Sequence, residues 1–247
     1  MCHKPRVLVG APFHASSSQY LPELLEIWKH WPKFDIDYLL VYNGVLNVDI
    51  IMKTKSLLNS YMREGLKLCL KIIPNGHLYA WGPLCDAQNF IVRKALSGNY
   101  DYILWNEVTR IPQLDSLSKL IECNLPIVGA LYKDTWHPGY FCVYSYDFVK
   151  GIHVHAPYLR IDSITRPTQV DGIGFGFTLI DTKVLYSVQL RSEKYASDTY
   201  FFNDCKIQGI HSYVIPIFVE NVKVERDINA YREWMRARSD LLMIFTK

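Results

Sequence analysis

The sequence predicts an α/β fold with a mostly parallel central sheet flanked by helices. Three observations carry that expectation. Short continuous apolar runs, RVLVGAPF at 6–13 and PIVGALY at 126–132 among them, have the length and character of strands buried on both faces. Segments of helical period separate such runs over the first 132 residues, and alternation of this kind implies right-handed crossovers on a wound sheet. The composition, 49% hydrophobic and 21% charged over 247 residues, supplies enough apolar surface for one large domain.

The elements follow in order. Arg6 to Phe13 reads as the first strand, and Ser16, Ser17 or Ser18 offers an N-cap to a helix carrying Leu21, Leu24, Leu25 and Trp28 at helical spacing, with Pro22 acceptable in its first turn. Phe34 to Tyr42 reads as the second strand, closed by the turn signal Asn43-Gly44. Val48 to Leu70 is helical in part, with a short strand over Leu68 to Ile73. Asp86 to Leu96 reads as a helix stopped by Ser97-Gly98-Asn99, Tyr102 to Trp105 as a strand, Gln113 to Cys123 as a helix and Pro126 to Tyr132 as a strand. Beyond residue 132 the pattern changes: Asp134 to Pro167 is rich in Tyr, His, Pro and Asp, with β-prone pieces such as Tyr140 to Tyr144. Gln169 to Asp181 places Gly174 and Gly176 before an apolar strand, where absent side chains allow close backbone approach. Asp198 to Gln208 reads as a helix ended by Gly209, and Ser212 to Val219 closes the sheet. One domain is expected over 1–247, with a nucleotide-binding half at 1–112, an acceptor and catalytic half at 113–225 and an amphipathic helix at 226–247.

Several function classes drop out on composition. A formal net charge of +3 is too small for a nucleic-acid-binding surface. The six cysteines lie far apart without a CxxC pair, so a zinc ribbon or redox motif is unsupported, and free thiols in a reducing compartment fit best. The apolar run near the start is too short for a signal-peptide core, and no window approaches the roughly 20 apolar residues of a membrane span. A cytoplasmic protein is expected, at most peripheral to a membrane. The terminal YREWMRAR segment at 231–238 has helical spacing, which suits docking on its own domain, dimerisation or contact with a membrane surface.

In an open α/β sheet ligands bind at the carboxyl ends of the strands. That rule selects Pro12 to His14, Asn43 and Asn106 to Arg110. The ordered segments DAQNFIVRKAL, DYILWNEVTRIP, LIECNLPIVGALY, VDGIGFGFTLI, SDTYFFNDCKIQG and SYVIP resemble the GT-A fold glycosyltransferases, in particular the inverting family-2-like group, over roughly residues 6 to 220. The resemblance implies a GT-A-like, Rossmann-type sandwich and transfer of a sugar from a nucleoside-diphosphate-sugar donor to an acceptor hydroxyl. The family carries an Asp-x-Asp motif that holds Mg2+ or Mn2+ against the donor diphosphate; counting back from Pro112, it falls on Glu107-Val108-Thr109, which keeps one carboxylate. A family histidine after the last strand, a further metal ligand, is replaced by a stretch in which Glu220 or Asn221 offers oxygen. Arg110, Lys133, Arg160 and Arg166 are the alternative cations for the leaving diphosphate.

The resemblance also assigns roles. Asp198, eleven residues before Gly209, matches the family's catalytic base, and Ser197 replaces the acid before it. An aspartate at the start of a helix also serves as a cap. Asp171, Gly174 and Gly176 match a segment bordering donor sugar and acceptor, although a turn aspartate bonding its own backbone explains Asp171 equally. Pro12, Phe13 and His14 would frame the nucleotide with Asn43, Asp86, Asn89 and Asn106. Trp136 and His137 would line the acceptor side with Tyr140, and core packing explains the same aromatics. His153 and His155 would share one face of a strand, without a third metal ligand nearby. The acceptor's class, glycan, lipid or protein, is open. A nucleotidyltransferase would want a glycine-rich, basic loop after the first strand, and a Rossmann dehydrogenase would want GxGxxG; neither is present. The competing reading is a catalytically silent nucleotide- or sugar-binding protein on the same scaffold, favoured by Thr109 and Ser197.

Overall fold

The structure is a computed structural model that describes residues 4–31, 34–73, 81–135, 140–147, 152–157, 164–192 and 196–225. Its elements run β1 (Arg6–Phe13), α1 (Leu21–Lys29), β2 (Asp35–Tyr42), α2 (Val48–Arg63), β3 (Leu68–Ile72), α3 (Gly82–Ser97), β4 (Tyr102–Asn106), β5 (Arg110–Ile111), α4 (Ser116–Glu122) and β6 (Ile127–Leu131). They continue with β7 (Tyr140–Asp147), β8 (Ile152–Pro157), β9 (Thr168–Val170), β10 (Gly172–Ile173), β11 (Phe177–Asp181), α5 (Ser197–Ile207), β12 (Ser212–Phe218), β13 (Glu220–Asn221) and α6 (Val222–Glu225).

Eight strands form the main sheet in the order β3-β2-β1-β4-β11-β6-β12-β9. β1 to β4, β6 and β12 run in one direction, while β11 is antiparallel to β4 and β6, and β9 to β12. The antiparallel β11 lies at the centre, so the Gly174–Gly176 turn that precedes it is delivered to the rim where β4 and β6 end. Two small antiparallel sheets, β10-β7-β8 and β13-β5, lie outside the main one.

Alternate residues of the strands feed two cores, which explains why these runs are apolar throughout. Val7, Val9, Ala11 and Phe13 of β1 pack with Leu21, Leu24, Leu25 and Trp28 of α1 and with residues of α2 and α4. Leu8 of β1 and Ile103 and Trp105 of β4 face Cys85, Ile91 and Ala95 of α3 and Phe201, Phe202 and Cys205 of α5. Helices therefore cover both faces, the arrangement that a mostly parallel sheet needs. Boundaries differ from expectation in a few places. α3 begins at Gly82, ahead of the expected Asp86, with Pro83 in its first turn, where a missing N–H leaves no bond unmade. α4 begins at Ser116, and the segment expected as a turn and one strand divides into β9, β10 and β11. The C-terminal helix expected at 226–247 lies outside the described residues.

Free thiols are found at Cys69, Cys85, Cys123, Cys142 and Cys205. Among the described residues no helix is long and apolar enough to cross a membrane.

One buried polar side chain ties the first helix to the central strand. Asn106, fully buried at the end of β4, accepts from the Trp28 Nε1–H at 2.9 Å, and its Nδ2 donates to the Arg110 carbonyl at 2.9 Å. Trp28 is itself stacked on Tyr38 of β2, with ring centroids 4.7 Å apart. Substituting Trp28→Phe keeps most of the ring but leaves the Asn106 oxygen buried without its donor, so a loss of about 1–3 kcal/mol is expected. Urea unfolding checks this, with a lowered midpoint and an unchanged far-UV spectrum as the expected result.

Candidate functional site

The carboxyl ends of β1, β2, β4 and β6, together with the turn before β11 and the start of α5, meet on one rim of the sheet. His14 follows β1 there, Asn43 follows β2, Glu107 follows β4, and Lys133 and Asp134 follow β6. Glu107 is half-buried, and its backbone N–H donates to the Gly176 carbonyl at 2.9 Å, which fixes the strand end against the glycine turn.

Asp198 lies in the first turn of α5, as expected of either a cap or a base. Its Oδ1 accepts from the Thr199 N–H at 2.8 Å, and Oδ2 lies 3.5 Å from the Tyr144 hydroxyl, which donates to it. Burial pushes its carboxyl up to about 7; the negative charges of Glu107 and Asp134 add to that rise, while the Thr199 and Tyr144 hydrogen bonds oppose it. Three carboxylates, from β4, β6 and α5, therefore act on one another across the rim.

Two features hold Asp198 in place. Ser197, fully packed beneath it, donates from Oγ to Gln88 Oε1 of α3, a buried pair that docks the start of α5 on the neighbouring helix. On the other side Tyr144 joins a buried polar chain, its hydroxyl 2.9 Å from Cys142 Sγ. Cys142 also bonds Tyr132, and burial raises the pKa values of all three groups, so they remain protonated hydrogen-bonding groups. Gln88, Tyr132, Asp134, Cys142 and Tyr144 were not singled out from sequence. Asp134 was legible as a carboxylate just beyond a strand, but Gln88 carries no local signal, since a glutamine within a helix reads as a surface residue.

Arg110 is the centre of the rim. It is 6% exposed, and its guanidinium packs over the Tyr132 ring with 4.7 Å from Cζ to the centroid. Nη1 donates to Thr109 Oγ1 at 2.7 Å and to Asn221 Oδ1 at 2.8 Å; Nη2 donates to Thr135 Oγ1 at 3.3 Å and pairs with Glu107 Oε2 at 3.3 Å. Asn221 continues the network by donating from Nδ2 to the Lys133 carbonyl and to Thr135 Oγ1. Arg110 Nε is buried without a partner.

The residues matched to the family's metal ligands do not fit a divalent ion. Such ions take carboxylate and other oxygen ligands whose negative charge offsets their own. Here the Thr109 and Asn221 oxygens and one Glu107 oxygen are already directed at a guanidinium, and Glu107 with Arg110 sums to no net charge where an Asp-x-Asp pair carries two negative ones. Among the described residues no group of three His, Cys, Asp or Glu side chains is placed to hold a metal.

Other residues expected at the site take different places. Asn106 is buried inside the strand end, where its amide bonds Trp28 and the β4–β5 turn. Pro12 and Phe13 are buried, with Phe13 edge-on to Tyr42. Gly174 and Gly176 lie against Tyr132: a Cβ at Gly176 would collide with the ring, and one at Gly174 with the Tyr132 hydroxyl and Cys142 Sγ. Asp171 is held by Lys206 at 2.7 Å and by Ser145. Asn89 donates to the Leu190 carbonyl, and Asp86 is exposed on α3. Trp136 and His137 lie outside the described residues, as do the side chains of His153 and His155. Two of the expected nucleotide residues remain at the rim. His14 is exposed there, with Ser16 Oγ 2.8 Å from Nδ1; lost hydration and then Lys223 hold its imidazole below the ordinary range, against the pull of Glu107. Asn43 is buried with its Oδ1 unpaired, an acceptor that no described residue satisfies. The hollow lined by Asp101, Tyr102, Asp181 and Thr182 lies at the amino end of β4, away from these groups.

No protein-family model and no curated protein matches the chain. Solved structures do. Residues 1–349 of TarS from S. aureus, in complex with UDP-GlcNAc, align over 87% of this chain and 58% of that one at 13% identity, with a TM-score of 0.54. The mannosyltransferase PcManGT from Pyrobaculum calidifontis, in complex with GDP-Man and Mn2+, aligns over 96% of this chain and 62% of that one at 13% identity, with a TM-score of 0.59. The chain thus has the GT-A-like fold of these glycosyltransferases and spans about three-fifths of their length.

The raised Asp198 pKa has a consequence for stability. In the unfolded chain the carboxyl ionises near pH 4, in the folded protein near 7. Stability from this group is therefore fully present below about pH 4 and is lost as the pH rises through 7. Asp198→Asn, which cannot ionise, should melt several degrees above the wild type at pH 8, and the gap should close below about pH 4. Thermal melts across that range read it directly.

Proposed function

We propose that the protein is a glycosyltransferase that moves a sugar from a nucleoside-diphosphate-sugar donor to an acceptor hydroxyl with inversion, and that Asp198 is its catalytic base. One observation carries the reading: on a GT-A-like sheet, at the strand ends where such folds bind ligands, a half-buried carboxyl is held at about 7 beside two further carboxylates. A general base works best with a pKa near the pH at which it operates.

The chemistry follows from the placement. Ionised Asp198 takes the proton of the acceptor hydroxyl while that oxygen attacks the anomeric carbon, and the bond to the diphosphate breaks on the opposite face. Tyr144 orients the carboxylate by donating to Oδ2, and Gln88 holds Ser197 so that the helix start cannot drift. The unpaired Asn43 oxygen would accept from a ribose hydroxyl or a base N–H, relieving an acceptor otherwise left buried and unmet. His14, kept neutral, can donate or accept beside the nucleotide. Negative charge on the departing diphosphate would fall next to the Arg110 guanidinium. The nucleotide sugars in complex with the two similar glycosyltransferases, UDP-GlcNAc and GDP-Man, are the first donors to try.

Donor turnover by the wild type, with water or an added sugar as acceptor, tests the reading. Asp198→Asn should lower it about a hundredfold or more, while donor affinity stays within a few-fold. Because the base acts ionised, the wild-type rate should fall about tenfold per pH unit below 7 and level off above it. A full rate from Asp198→Asn would sink the assignment, and binding without turnover across the donor panel would favour the silent binder.

A further inference from the structure

We propose that Arg110 is a built-in replacement for the divalent cation at the donor site, so that the donor's diphosphate is bound without an added metal. This inference rests on the glycosyltransferase reading above. The oxygens that sequence matching offers to a metal, on Glu107, Thr109 and Asn221, all converge on one guanidinium. A metal entering that set would have to displace a permanent cation held by four polar partners and the face of Tyr132.

The guanidinium is also built to stay. It joins three parts of the chain at once: its own β4–β5 turn, Thr135 beyond β6, and Asn221 of β13, which pairs in register with Arg110. A cation fixed in this way needs no reorganisation when charge develops on a leaving group nearby, and in a half-buried rim its field is screened less than in water. Arg110 thus acts on the diphosphate through its own charge, as the metal would, while its ion pair with Glu107 holds the strand end in place.

The test is nucleotide binding by calorimetry to the whole chain, with UDP, GDP, ADP, CDP and dTDP, each in EDTA and in excess Mn2+. Affinity for the preferred nucleotide that agrees within about threefold between the two buffers supports the proposal. Tighter binding in Mn2+ by more than that overturns it and leaves the donor reading intact. Binding of none of the five in either buffer overturns the donor reading and this inference with it. The paired variant Thr109→Asp/Arg110→Gln restores an acid and removes the cation. If it folds, as judged by circular dichroism, it should bind nucleotide at least tenfold more tightly in Mn2+ than in EDTA and take up Mn2+ by electron paramagnetic resonance. A merely structural Arg110 would leave that variant's metal response flat, and that outcome also overturns the proposal.

Discussion

The chain reversal after β4 depends on two buried side chains: Asn106 donates to the Glu107 and Arg110 carbonyls, and Arg110 donates to the Thr109 hydroxyl and pairs with the Glu107 carboxylate. Asn106 cannot be solvated where it lies, so its amide must find partners, and it does so in Trp28 and the Arg110 carbonyl. Arg110 then projects its guanidinium across the rim to Thr135 and Asn221. The last short strands are attached to the sheet through this contact: β13 pairs with β5, and the Val222 N–H donates to the Thr109 carbonyl. A buried charge without such a cage would cost several kcal/mol, so the network and the strand ends it joins form together.

The same turn sets the electrostatics of the candidate site. Glu107 faces a cation on one side and exerts its charge on Asp198 on the other. Asp198 is kept near neutrality chiefly by loss of hydration, and the Thr199 and Tyr144 bonds limit how far its pKa rises. The glycines of the turn before β11 matter here for packing. Without side chains they let the Tyr132 ring lie beneath the turn, where its hydroxyl accepts the Gly176 N–H at 2.8 Å and its face supports Arg110.

Much of the architecture was legible in the order of residues. Apolar runs bounded by turn residues located the main strands, and helical spacing located α1, α2, α3 and α5, because periodicity reports which faces are buried. The place of Asp198 at the start of a helix was legible too, because Gly209 ends that helix. Asn106 and Thr109 were placed near a ligand by the strand-end rule, which identifies a neighbourhood and says nothing of which way a side chain turns, and the two glycines by the family resemblance alone. Asn106 points inward because successive side chains on a strand alternate faces, and its face is the one packed by Trp28.

The sequence by itself determined the strand and helix pattern and the strand-end rim on which the candidate site lies, which are properties of local residue types and spacing. Only the tertiary structure decided that Arg110 stands among the oxygens a metal would need, that Gln88 anchors Ser197, and that Asp198 has a pKa near 7. Each of these depends on groups far apart in the chain brought within hydrogen-bonding or Coulombic reach, as Arg110 and Asn221 are across 111 positions, and no local pattern encodes that distance.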